Sequence, residues 1–322
     1  MLKNILKIIS ISGVILFVFY FVKVGPHNIW LRIRELSVLN FFILILLRLA
    51  YWSVRSLNWS IILRKLGTHL GFRKVLIARL GGHSVGYLTP TAKVGGEIVR
   101  IFLFETADKK KLAASVVIDK MIEFLSAILV VSSGVIISIL ILPISQKIKA
   151  FFLMLTIILF LLLSFFFMKQ IDGFFLWFTK NLRIGKKYFS KKENDILETD
   201  KNISEFYKNE TGTFIFLVFS NILNYIIWIF EIYITMKFLG SLNITLLKSY
   251  LIATLGSFAF IFPLLPGSLG IFEATYIGLF RIFHISQSVG IGYIITRRIL
   301  GLIFAGVGLF PVIRSGFRSG KG

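Results

Sequence analysis

The chain has 322 residues, of which 56% are apolar and 15% aromatic, and its mean hydropathy is +0.84. Charged residues make up 16%, well short of the roughly 25% of a soluble domain, which excludes a water-soluble enzyme or binding module. Thirty-seven Lys and Arg against 15 Asp and Glu leave a net charge of +22. In a multi-pass membrane protein that excess belongs to cytoplasmic loops facing an anionic leaflet, so it implies no nucleic-acid partner.

Lys3 and Lys7 precede an apolar run from Ile8 to Val22 that ends at Lys23, Gly25 and Pro26. No small-x-small cleavage site follows, so an uncleaved first helix with a cytoplasmic N-terminus is expected. A second span covers Leu39 to Leu63 and opens onto Arg64, Lys65, Arg73, Lys74 and Arg79, a stretch basic enough to lie inside. The segment 75–104 is broken by Pro90 and rich in glycine (Gly81, Gly82, Gly86, Gly95, Gly96), with Lys109-Lys110-Lys111 behind it. Basic flanks on both sides predict that it enters and leaves on the cytoplasmic face. Broken backbone at membrane depth is tolerated only where it is buried in protein or lines a cavity.

Spans from Leu112 to Leu142 and from Ile148 to Met168 follow, separated at Pro143. Residues 169–210 then hold nine Lys/Arg and seven Asp/Glu and form the main cytoplasmic loop. Its first part, Ile171 to Phe189, interleaves aromatic and basic residues and suits an amphipathic helix on an anionic leaflet. The part after Ser190 reads equally well as an ordinary solvated loop. Further spans run from Thr213 to Phe238 and from Leu246 to Phe262. A second broken segment occupies 263–283, and a last span runs from Val289 to Ile313. The expectation is an all-α polytopic membrane protein, a single integral membrane domain over 1–322. If the second broken segment crosses, it has eight passes and both termini in the cytoplasm.

The two broken segments echo each other. Pro90 leads through Gly95 and Gly96 to Glu97, and Pro266 leads through Gly267, Ser268 and Gly270 to Glu273, with Pro263 just upstream. Paired Gly/Pro interruptions in two halves of a chain point to a transporter built from repeats, here expected to be inverted, with its site where half-helices meet. Charges within or near the spans support this. Glu97 and Arg100 are three apart on one helical face, Asp119 and Glu123 four apart on another with Lys120 between, and Glu231, Glu273, Arg281, Arg297 and Arg298 add to them. Each charge at a membrane-helix centre costs about 2.5–3.5 kcal/mol on insertion scales, so they imply a polar interior, either a transport path or a set of packed ion pairs. Thr89, Glu97, Arg100, Ser268 and Glu273 are the groups expected around a cavity where the broken segments meet.

Four blocks resemble one known family: Arg55-Ser56-Leu57-Asn58-Trp59; Gly86-Tyr87-Leu88-Thr89-Pro90-Thr91 running into Gly95-Gly96-Glu97-Ile98-Val99-Arg100; Asp119-Lys120; and Pro263-Leu264-Leu265-Pro266-Gly267-Ser268-Leu269-Gly270-Ile271-Phe272-Glu273. The sequence resembles the flippase-like transmembrane family typified by the membrane portion of lysylphosphatidylglycerol synthetase. The resemblance implies an inner-membrane protein that moves a polar-headed lipid between leaflets. Synthetase members carry an additional soluble catalytic domain. This chain ends at Gly322, soon after its last span, so the membrane unit alone is expected, without aminoacyl transfer. Where the family pattern often has Arg after Asp119, Lys120 keeps the charge but loses the planar fork that grips a phosphate.

Other chemistry is not signalled. There is no Walker-type glycine loop, no cysteine, and no metal-ligand spacing among His27, His69, His83 and His284, so neither a cofactor nor a metal is expected. His83 reads as a packed polar residue, and Gly82 with Gly86 as a close helix approach within the chain. The leading reading is a lipid flippase-like transporter whose partners are membrane lipids, with a separately encoded lipid-synthesis enzyme as a possible associate. The competing readings are a membrane-embedded glycosyl or phosphoglycosyl transferase and a non-transporting scaffold for lipid synthesis.

Overall fold

The computed structural model describes residues 27, 36–89, 94–104, 107–142, 145–173, 175–177, 193–260, 268 and 271–318. Every long regular element among them is helical: α1 Val38–Lys65, α2 Phe72–Leu88, α3 Val94–Phe102, α4 Lys109–Ile141, α5 Gln146–Asp172, α6 Glu193–Asn209, α7 Thr211–Phe238, α8 Leu246–Gly256, α9 Ile271–Ile282 and α10 Gln287–Arg318. Five of these, α1, α4, α5, α7 and α10, are long and apolar enough to cross a membrane, at the places where spans are expected from sequence. The chain is thus an all-helical, multi-pass membrane protein. The expected first span, Ile8 to Val22, and the breaks at Pro90, Pro263, Pro266, Gly267 and Gly270 lie outside the described residues.

Packing separates two compact units within the chain. One comprises residues 1–53, 73–104 and 225–322, the other 54–72 and 105–224, so α1 and α7 each contribute to both.

The second unit is a core of α4, α6 and the adjoining parts of α1, α5 and α7. Ile62, Ala114, Ile118, Met121, Ile122, Leu163, Ile203, Phe206 and Leu217 are buried together there. Asp108 caps α4 by accepting from the Lys110 amide. Around this core Trp59 Nε1 donates to Ser115 Oγ at 3.0 Å, and Tyr207 donates its hydroxyl to Gln170 at 2.8 Å. Helix α5 is apolar all round and leaves Phe151, Leu161, Met168 and others exposed, as a lipid-facing helix must.

Residues after Ser190 form helix α6 where a solvated loop was one reading. Thr199, Asp200, Ile203, Phe206 and Tyr207 make its buried stripe, spaced one, four, seven and eight from the first, the period of one helical face. Its charges hid that stripe, because polar residues fill the other face. Asp200 accepts from the Phe175 and Leu176 amides at 3.1 and 2.8 Å, tying α6 to the chain after α5. The remainder of the expected interfacial helix, 178–189, lies outside the described residues.

The first unit is built from short helices. Adjacent glycines on α2 face different neighbours, since consecutive helical residues point about 100° apart. A Cβ on Gly82 would come within 2.6 Å of the Gly96 carbonyl on α3, while one on Gly308 of α10 would strike the Leu80 carbonyl. Helix α2 therefore lies backbone to backbone against both α3 and α10, and Ser84 donates to the Ala305 carbonyl at 2.6 Å. Gly82 does serve a close helix approach within the chain.

Candidate functional site

The first unit gathers most of the charged residues expected to matter. Helices α3 and α9 are both short, and each follows a Gly/Pro segment. Each has a Glu in its first turn, Glu97 or Glu273, and an Arg in its last, Arg100 or Arg281, the order that complements a helix dipole. Arg100 is buried and donates to Glu97 at 2.5 Å, with its stem lying over Gly82. Thr89 is buried, and its hydroxyl returns to the Val85 carbonyl at 2.6 Å. Ser268 is buried with φ +54°, a left-handed conformation rare outside glycine. Gly95 is half-buried and Gly96 buried, its Cα facing Gly82 and the Gly86 amide. Arg281 is exposed in the last turn of α9.

Helix α10 supplies the connection. Arg298 donates Nε and Nη2 to Glu273 Oε1 at 2.8 and 2.6 Å, lies 4.8 Å from the Phe272 ring centre, and reaches the Tyr87 hydroxyl at 3.5 Å. One guanidinium thus joins the end of α2, before the first break, to the start of α9, after the second. His83 packs against Trp52 and Tyr87, rings 4.4 and 5.7 Å apart, as a packed polar residue would.

The preceding residue, Arg297, turns to another carboxylate. Glu231 on α7 is buried, and its Oε1 accepts from Arg297 Nη1 at 2.8 Å and from Arg48 Nη2 of α1 at 2.5 Å. Arg297 also stacks over Trp228, 5.5 Å from its ring centre. Arg48 and the tyrosines of α9 and α10, Tyr276 and Tyr293, were not singled out from sequence. For Arg48 the signal was present, because a lone Arg within an apolar span is a functional-site candidate by default.

Asp119, Lys120 and Glu123 belong to the second unit. There Glu123 pairs with Lys120 at 2.7 Å and with Arg55 of α1, and Asp119 is buried. Among the described residues no group of three His, Asp or Glu is placed to hold a metal ion.

Residues 4–308 match the family described as the lysylphosphatidylglycerol synthase TM region. The chain belongs to this family. A relative in Methanothermobacter thermautotrophicus, described as a UPF0104 membrane protein, is 23% identical over 310 residues, covering 91% of this chain and 90% of its own. No solved structure matches. The family match spans α1 to most of α10 and so includes both carboxylate–arginine clusters of the first unit.

Proposed function

We propose that this chain moves a polar-headed, anionic lipid, aminoacylated or glycosylated, between the leaflets of the cell membrane, with both termini in the cytoplasm. The observation that carries the reading is Arg298, a buried guanidinium held between Glu273 and Tyr87 where the short helices of the first unit come together. A charge at that depth needs a reason, and half-helices with charged ends beside a polar interior are how transporters hold headgroups. Family membership supports the same reading, since the family is named for the membrane region of a lipid-modifying synthase.

In this account Arg100 and Arg298 attract the anionic part of the headgroup, while Glu97 and Glu273 hold the guanidiniums in place and meet any cationic moiety. The chain acts on membrane lipids and not on nucleic acid, performs no covalent chemistry itself, and receives its lipid from a separately encoded enzyme. Proteoliposomes containing the purified chain and a headgroup-labelled anionic lipid test this. Label on the inner leaflet should become accessible to an outside quencher faster than in protein-free vesicles, with every lipid recovered chemically unchanged. Headgroup label transferred covalently from a sugar donor to lipid would favour the transferase instead.

A further inference from the structure

The cluster around Glu231 has more positive charge and more donors than it can satisfy internally. Two guanidiniums, Arg48 and Arg297, share a single carboxylate oxygen. That leaves one net positive charge in the interior of a membrane protein, where an uncompensated charge is expensive. Beside it the Tyr276 and Tyr293 rings stack 5.6 Å apart, and both phenols lie in the field of Glu231 and Arg48.

The Tyr276 and Tyr293 hydroxyls face each other, both residues are almost wholly buried, and neither hydroxyl has a partner outside the pair. Arg48 Nε and Trp228 Nε1 are likewise buried and unpartnered, as is Glu231 Oε2. With one phenol donating to the other, three unmet donors face one unmet carboxylate oxygen, and with a net charge of +1 they call for an occupant bearing one negative charge and several acceptor oxygens. A cationic headgroup is disfavoured by the same arithmetic, because it would raise the buried charge to +2.

The geometry points to a phosphate-binding site formed by Arg48, Arg297, Tyr276, Tyr293 and Trp228, with Glu231 holding the two guanidiniums in register. A phosphodiester matches in charge and in acceptor number, and arginine forks suit its oxygens. Arg48 stands ten residues into α1 and Arg297 ten into α10, about 15 Å along each helix, so the site is deep. Arg297 and Arg298 are adjacent, so one turn of α10 serves this cluster and the Glu273–Arg298 pair side by side. Naming a lipid as carrier of the phosphate rests on the transport reading. The phosphate site itself does not.

The test is binding to the purified full-length chain in uncharged detergent. The probes are short-chain phosphatidylglycerol, inorganic phosphate and short-chain diacylglycerol, followed by Trp fluorescence with a Trp228→Phe control and by thermal shift. Phosphatidylglycerol should bind and diacylglycerol should not. The Tyr276→Phe/Tyr293→Phe variant, which removes both hydroxyls with little change in packing, should weaken binding about tenfold. Glu231→Gln should tighten it, an increase that a purely structural role for the carboxylate would not produce. Inorganic phosphate competing with the lipid would confirm the shared chemistry, and its binding in preference to the lipid would make the free ion the occupant. Equal binding of diacylglycerol, or unchanged affinity in both variants, would overturn the site. Lipid binding at the site with no leaflet exchange in vesicles would instead refute the transport reading and leave the site standing.

Discussion

Tyr87 reaches Arg298 because residue 301 has no side chain: a Cβ there would lie 2.8 Å from the Tyr87 hydroxyl and 3.0 Å from its ring carbon. Gly301→Ala should therefore push the phenol away from the guanidinium. A destabilisation of about 1–3 kcal/mol by thermal unfolding in detergent, typical of overpacking, and slower lipid exchange are expected. Glu210 gives a residue-scale prediction outside the membrane. Bonds from Lys65 and from the Thr213 hydroxyl, both 2.8 Å, hold its carboxyl below the usual carboxylate range. A depressed carboxylate contributes stability that is complete above its unfolded value of 4.5 and is lost as pH falls through the folded one. Glu210→Gln should lower stability slightly at neutral pH and flatten the acid limb, so that the two unfolding curves converge as pH falls below about 4.5. Arg100, Asp119, Glu231 and Arg298 are buried charges that the sequence singles out, whereas Arg281 is exposed. The buried Arg79 reads from sequence as part of a cytoplasmic stretch, and the pairing was not legible. Glu231 meets partners 183 and 66 positions away, and nothing local to an apolar helix records such a contact.

Helix α2 depends on its glycines. Gly96→Ala would place a methyl against the Gly82 carbonyl, a backbone atom that cannot turn aside, so α3 must move and carry Glu97 and Arg100 with it. Loss of exchange together with a lowered melting temperature is the expected result. Helix α6 makes the contrasting case, for its role is packing. Ile203 is fully buried in the second unit, and Ile203→Ala should cost about 2–5 kcal/mol in detergent unfolding with no selective effect on lipid specificity. The five long apolar helices were readable from hydropathy, because their length and composition answer directly to bilayer thickness. Helix α6 was not, because its apolar stripe is interrupted by Thr199 and Asp200, polar residues buried by tertiary bonds that hydropathy cannot register.

At the scale of the whole chain, large apolar side chains stay exposed along α1, α4, α5 and α7, while Arg79, Arg100, Glu231 and Arg298 lie buried in the first unit. That is the reverse of a soluble protein, and it is what a lipid solvent with a polar interior path would select. Composition alone placed the chain in the membrane, and the broken segments marked the unit that holds most of the charges singled out, although the residues forming the breaks themselves lie outside those described. The central claim is that the pair of buried Arg298 and half-buried Glu273 handles headgroups and does not merely hold helices together. The direct measurement is lipid exchange in proteoliposomes by the Arg298→Gln/Glu273→Gln double variant, read beside its melting temperature. Two neutral amides keep a hydrogen bond between α9 and α10 while removing both charges. Exchange reduced at least tenfold with near-normal stability is predicted. Wild-type exchange in the double variant would contradict the account and reduce the pair to a structural contact.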